Sequence, residues 1–210
     1  MDTITGNDGL EHLESVFLAL GSVCRMFREP LKQWWIPFFT LDGAHTTVCG
    51  ATVLCLVATD ASRRLVPMAV TFVRSESTAS WTWFLQKAAE AYPVLLDEDV
   101  VIMSDGSDAI SAAVRTELPL ARRMFCMKHR LRNIARTFSA SGFSDRLYSL
   151  FYEASTAHTP QGFDHALSKI LDTCGPEALD YIAQRPQNTW SNCHVGLLTG
   201  GALTSNDAGT

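Results

Sequence analysis

Two aspartates carry the clearest chemical signal in the chain. Asp42 closes the apolar run Phe38-Phe39-Thr40-Leu41 and is followed at once by Gly43. Asp105 closes Val100-Val101-Ile102-Met103-Ser104 and is followed by Gly106. A carboxylate delivered by the end of a buried strand is a ligand for hard divalent ions such as Mg2+, which take oxygen donors. Two such carboxylates in one cleft suit phosphoryl chemistry, where paired ions roughly 3.5–4 Å apart stabilise the attacking and leaving oxygens. Each aspartate alone equally fits a turn, because Asp-Gly is a common turn pair. Together, each ending an apolar strand, they favour a shared site.

Other candidates are weaker. Cys126-Met127-Lys128-His129 places a thiol and an imidazole at ligand-like spacing, but a tetrahedral zinc site needs about four donors. The other Cys-His pair, Cys193-His194, is adjacent rather than spaced. Cys126 therefore reads first as a core cysteine and His129 as a surface or hydrogen-bonding residue, with zinc a minor alternative. His45 follows Asp42 closely enough to reach the same cleft. Arg115, Arg122, Arg123, Lys128, Arg130, Arg132 and Arg136 form the basic concentration of the chain. Phosphate contacts by Arg122, Arg123, Lys128, Arg130 and Arg132 and a solvated helical face are equally good readings of it. Glu76, ahead of Trp81 and Trp83, is either a third carboxylate near the sheet or, the better reading, a loop residue preceding core tryptophans.

The elements that must position these residues follow from hydrophobic periodicity. Leu10 to Phe27 carries apolar residues at three- and four-residue spacing, which predicts a helix. Pro30 and Pro37 punctuate the approach to the strand ending at Asp42, where Trp34 and Trp35 read as packing residues. Residues 51–59 and 65–73 read as strands joined by the turn at residues 60–64. A connection that short makes them antiparallel neighbours. Pro67 suits an edge or a strand start. Ser77 or Thr78 caps a helix bearing Trp81, Phe84, Leu85, Ala88 and Ala89, which ends before Pro93. The strand into Asp105 comes next, then a helix from about Ser107 to Leu118, a short strand at Arg123 to Cys126 and a basic helix from His129 to Phe138. Three antiparallel strands followed by parallel strands with crossover helices make a mixed α/β sheet of ribonuclease H-like order. In that order the first and fourth strands are adjacent and parallel, bringing Asp42 and Asp105 together. Residues 144–185 read as helices only, with Thr159-Pro160 and Gly175-Pro176 starting two of them. Asn188 to Gly201 is irregular.

Bulk properties bound the partners. A 210-residue chain that is 47% hydrophobic can bury a sizeable core. The formal charge of -5 argues against a uniformly basic nucleic-acid binder, though not against a local basic patch. No apolar run is long enough to span a bilayer, and the start Met1-Asp2-Thr3-Ile4-Thr5 lacks the features of a signal peptide. The six cysteines are scattered, two of them inside apolar strand-like runs, which suits reduced intracellular thiols.

In order along the chain stand Leu41-Asp42-Gly43-Ala44-His45, Asp60-Ala61, Pro67-Met68-Ala69, Glu76 to Leu85, Met103-Ser104-Asp105, Cys126 to His129, and Thr204-Ser205-Asn206-Asp207-Ala208. This succession resembles the Mutator-like element (MULE) transposase domain. The resemblance implies a cut-and-paste DNA transposase with an Asp-Asp-Glu triad on a ribonuclease H-like fold, using Mg2+ or Mn2+. Asp42 and Asp105 would be its first two catalytic metal ligands, and Cys126 with His129 its Cys-x-x-His signature. It further implies DNA, the transposon ends, as partner, is compatible with a homo-oligomer, and places the protein in the nucleus, with the cytoplasm as the alternative. The implied organisation is a helical lead-in (1–35), a catalytic core (36–140), a helical insertion (141–203) and the start of a final catalytic motif (204–210). The family's glutamate falls at position 209, where this chain has Gly209. The expectation is therefore a truncated or decayed copy with little strand-transfer activity. Two alternatives stand beside it: a non-catalytic DNA- or protein-binding remnant, and an unrelated nuclease of the same fold using Glu76 as third ligand.

Overall fold

The departure from expectation comes first in the chain. In the computed structural model, which describes residues 2–5, 11–27, 35–46, 50–62 and 64–195, the segment read as a helix from Leu10 to Phe27 is mostly strand. β1 (Asp2–Thr5) and β2 (Glu11–Ala19) pair antiparallel, and only α1 (Gly21–Met26) is helical. Among its described residues, the lead-in over 1–35 thus holds more strand than helix. Short apolar runs satisfy both the helical and the strand period, and tertiary pairing decides between them. Here the deciding partner is the next hairpin. β3 (Trp35–His45), β4 (Thr52–Asp60) and β5 (Leu65–Val73) form an antiparallel meander, and β2 lies along the outer side of β5. That pairing satisfies backbone groups that β5 would otherwise leave open. Phe17 of β2 then meets Trp83 and Phe84, with ring centroids 6.4 and 5.8 Å away.

β5 is consequently not an edge where β2 covers it. Pro67 lies beyond the last β2 pair, Ala19 with Ala69, and at the register shift between Leu56 and Val57 of β4. A residue without an N–H is tolerated at such a place.

The rest of the core follows the expected order. α2 (Thr78–Ala91) is capped by Ser77, whose side chain accepts from the backbone N–H of Ser80. It leads through a 3-10 turn at Pro93–Leu96 into β6 (Val101–Ser104), α3 (Asp108–Glu117), β7 (Arg122–Phe125) and α4 (Met127–Thr137). The seven strands lie in the order β1-β2-β5-β4-β3-β6-β7, with β6 parallel to both β3 and β7. This mixed α/β sheet is compatible with the expected ribonuclease H-like arrangement, widened by β1 and β2.

Alternation along the strands divides the core into two layers. Phe39, Leu41, Leu54, Leu56, Val100 and Ile102 pack against α1, α2 and α3. Phe38, Val101, Met103 and Met124 face the opposite way, into a layer built from α4 and the helices that follow. Those helices are α5 (Ser144–Thr156), α6 (Pro160–Cys174), α7 (Pro176–Ala183) and α8 (Asn192–Val195), the last preceded by a 3-10 turn at Gln187–Thr189. Thr159 caps α6 through its hydroxyl, and Gly175 ends it at φ +84°, a backbone region that favours glycine.

Candidate functional site

β3 does not stop at Asp42 but continues to His45, so Asp42 lies within a strand rather than at its end. The parallel register pairs Phe38 with Val101, Phe39 with Ile102 and Thr40 with Met103. Asp42 stands two residues beyond Thr40, and Asp105 two residues beyond Met103. Neighbouring strands lie about 4.8 Å apart, and positions separated by two share a face. Asp42 therefore lies on the face of β3 shared with Phe38, and Asp105, directly after β6, follows at the corresponding distance along the neighbouring chain path. β6 ends just before Asp105, while β3 and β4 continue together past that point, so Asp42 is left exposed.

Each carboxylate also makes a local contact. Asp105 accepts at Oδ1 from the backbone N–H of Ser107, 2.8 Å away, which shapes the turn into α3. Asp42 accepts from the backbone N–H of Gly43 at 3.1 Å. The Asp105 bond, to the N–H two residues on, is the turn-type bond of such sequences, whereas the Asp42 contact is to its next neighbour within β3. Those bonds are compatible with further oxygen-donor capacity, since an ionised carboxylate accepts several hydrogen bonds.

The surroundings combine positive charge with the Cys126/His129 pair. Cys126 is buried at the start of α4, in the core layer on the aspartates' face, and His129 is half-buried one turn on. A hydrogen bond with Cys126 raises the imidazole above its ordinary pKa against the effect of burial; the charges of Cys126 and Asp42 add to the rise. On the Asp105 side, Arg123 donates from Nη2 to Ser104 Oγ at 2.9 Å. Burial takes its pKa down to about 10 despite the Asp105 charge, with Arg185 and Arg115 lowering it further.

The basic residues separate by location. Arg122, Lys128 and Arg132 are exposed and Arg123 is half-buried, whereas Arg130 is only 9% exposed and faces the helical layer. Arg130 is thus not part of an open basic surface. His45 bonds through Nδ1 with Thr52 Oγ1 at 3.0 Å, at the exposed end of β3.

Glu76 is not an uninvolved loop residue. Its Oε1 accepts from Trp81 Nε1 at 3.0 Å, and its carboxyl lies where a Cβ on Gly43 would fall, 3.0 Å from Oε2. The signal for this placement was in the sequence, as a glycine directly after the aspartate and a glutamate five residues before a tryptophan. Glu76 reaches the neighbour of Asp42, but by the face opposite to Asp42, because successive strand residues alternate.

Two hard-oxygen ligands at matched positions fit a divalent ion whose remaining positions are filled by water and substrate, as Mg2+ sites commonly are. Among the described residues, no three of His, Cys, Asp and Glu gather closely enough to hold a metal ion. Among the described residues, no third such side chain joins Cys126 and His129, and no third carboxylate joins Asp42 and Asp105. The tract Thr204 to Ala208 and Gly209 lie outside the described residues.

The structural class is a mixed α/β sheet, with Asp42 in β3 and Asp105 directly after the neighbouring parallel strand β6. Residues 38–133 match the family model of the MULE transposase domain, and this segment, from β3 into α4, is a MULE transposase domain. No curated protein matches the chain. None of the helices among the described residues is long and apolar enough to cross a membrane.

Proposed function

We propose that this chain carries a transposase core of ribonuclease H-like fold, acting on the phosphodiester bonds of DNA, with Asp42 and Asp105 as its paired carboxylates. The observation that carries the reading is that Asp42 and Asp105 stand two residues beyond the paired residues Thr40 and Met103 of adjacent parallel strands, within a segment of MULE transposase type. A divalent ion, Mg2+ or Mn2+, held by these two residues would supply Lewis-acid stabilisation of charge developing on phosphate oxygens. The chain's own contribution is positional. The β3–β6 register fixes the separation of the two carboxylates, and the Ser107 N–H fixes the orientation of Asp105. Arg122, Lys128 and Arg132, exposed on β7 and α4, provide cations for neighbouring phosphates. Location in the nucleus follows from a DNA substrate.

The test is nicking of supercoiled plasmid and cleavage of linear duplex by the chain, in Mg2+ and in Mn2+. Cleavage that disappears in both Asp42→Asn and Asp105→Asn supports the proposal. Cleavage that survives either substitution refutes it.

One observation favours a second reading, that of a DNA-binding domain without cleavage activity: no third carboxylate joins the pair among the described residues. Under that reading, DNA binding is salt-sensitive, independent of metal and unchanged by Asp42→Ala. A nuclease using Glu76 as third ligand is less favoured, because that carboxylate is engaged by Trp81 on the other face of β3.

A further inference from the structure

Beside Asp105, a cavity of about 130 Å³ is lined by Gly106, Arg130, Asn133, Tyr181, Gln184 and Arg185, together with the ring of Phe125. Its wall offers two guanidinium groups, two side-chain amides and a phenol, and no carboxylate. The geometry points to a subsite for one phosphate group.

Arg130 is the central feature. Its guanidinium lies against both Phe151 and Trp190, 5.1 and 5.0 Å from ring centroids that are themselves 5.0 Å apart, and Nη2 donates to the carbonyl of Ile182 at 3.1 Å. Nη1 is buried and has no partner. Arg185 lies over Phe125 at 4.8 Å and donates to the carbonyl of Gly106 at 3.3 Å. Among the described residues, neither arginine forms an ion pair with a carboxylate. A buried charge without a counter-ion is costly, and two like charges facing one cavity add to that cost. Burial, with the charge of Arg185 adding to it, takes the Arg130 pKa down to about 10, so the group is still charged at neutral pH.

An anion in the cavity offsets that cost. A guanidinium matches phosphate oxygens in a bidentate way, and the cavity draws its donors from α4 (Arg130, Asn133) and from α7 and the residues just after it (Tyr181, Gln184, Arg185). The cavity has room for a phosphate group. Gly106 directly follows Asp105, so a nucleic-acid strand crossing the two aspartates would bring a neighbouring phosphodiester to this opening. The inference rests on the proposed DNA function only for the source of the phosphate.

The test titrates the full chain with inorganic phosphate in EDTA-containing buffer of constant ionic strength, following tryptophan fluorescence because the Trp190 ring centroid lies 5.0 Å from the Arg130 guanidinium. We expect a saturable change absent with chloride. Arg185→Gln is expected to weaken it at least tenfold, as loss of a charge-assisted hydrogen bond implies. Asn133→Ala is expected to weaken it less, and Arg146→Gln, on the exposed side of α5, to leave it unchanged. Circular dichroism checks that each variant is folded. A phosphate response no larger than that to chloride, or one unaltered in folded Arg185→Gln and Asn133→Ala, overturns the subsite. A short single-stranded oligonucleotide that competes with phosphate identifies a backbone phosphate as the occupant. If it fails to compete, the subsite stands as one for free phosphate. Failure of DNA cleavage leaves this titration untouched, so the two readings fail separately.

Discussion

Adding a methyl group at position 43 would place the new Cβ 3.0 Å from Glu76 Oε2, 3.1 Å from Cδ and 3.2 Å from Oε1. Gly43 is not among the glycines with positive φ, so its backbone would accept alanine without strain. The obstacle is the carboxyl group, which must move. Glu76 is half-buried and its side chain flexible, so displacement itself costs little. Its consequence is loss of the 3.0 Å bond from the indole N–H of Trp81, a fully buried side chain. Hydrogen bonds to charged groups contribute about 1.5–3 kcal/mol, and water regained by Glu76 offsets part, leaving a loss of roughly 1–2 kcal/mol for Gly43→Ala. For a chain of this size that lowers Tm by about 2–8 °C. In a Glu76→Ala background the obstacle is gone, and Gly43→Ala becomes neutral or stabilising by up to about 1 kcal/mol, the usual gain on replacing a strand glycine. Thermal unfolding of the native chain, both single variants and the double variant measures the coupling directly. Equal effects of Gly43→Ala in the two backgrounds would refute the argument.

Three further outcomes follow from the same contacts. Because the folded state raises the His129 pKa, the stabilisation it represents is fully present below the ordinary histidine value and lost as pH rises through the folded one. The imidazole should titrate above 6.5 by NMR and fall toward that value in Cys126→Ala, and Tm should drop less from pH 6 to pH 8 in that variant. Thr159→Ala removes the hydroxyl that accepts from the Gly162 N–H at 3.1 Å and should cost about 1 kcal/mol in denaturant unfolding, as loss of a helix cap does. Tyr92→Phe removes the 2.6 Å donation to the carbonyl of Met68, which still accepts from Leu20 N–H, so its cost should lie near the lower end of about 0.5–1.5 kcal/mol.

The central strands and the site face were legible because their signals are local. Each of β3, β4, β5 and β6 is an apolar run bounded by a turn, and the tight Asp60–Arg64 turn fixes one pairing by its length. Asp60 accepts from the backbone N–H groups of Ser62 and Arg64, which shapes that turn. β2 was not legible, since the spacing of Val16, Phe17 and Leu20 serves a helix and a strand alike. Only the open side of β5 selects the strand, and that is a tertiary fact. The burial of Arg130 is hidden from the sequence for a related reason. Charge type suggested a surface, whereas the rings of Phe151 and Trp190, distant in sequence, bury it. The role of Glu76 lay between these cases, because its placement depends on the missing Cβ at Gly43.

The most direct test of the central account is Mn2+ binding, measured by electron paramagnetic resonance on the native chain, Asp42→Asn, Asp105→Asn and the double variant. If the matched strands bring both carboxylates to one ion, each single substitution should abolish the same site, and the double variant should lose nothing more. Binding that survives either single substitution, or losses that add independently, would contradict a shared site at Asp42 and Asp105.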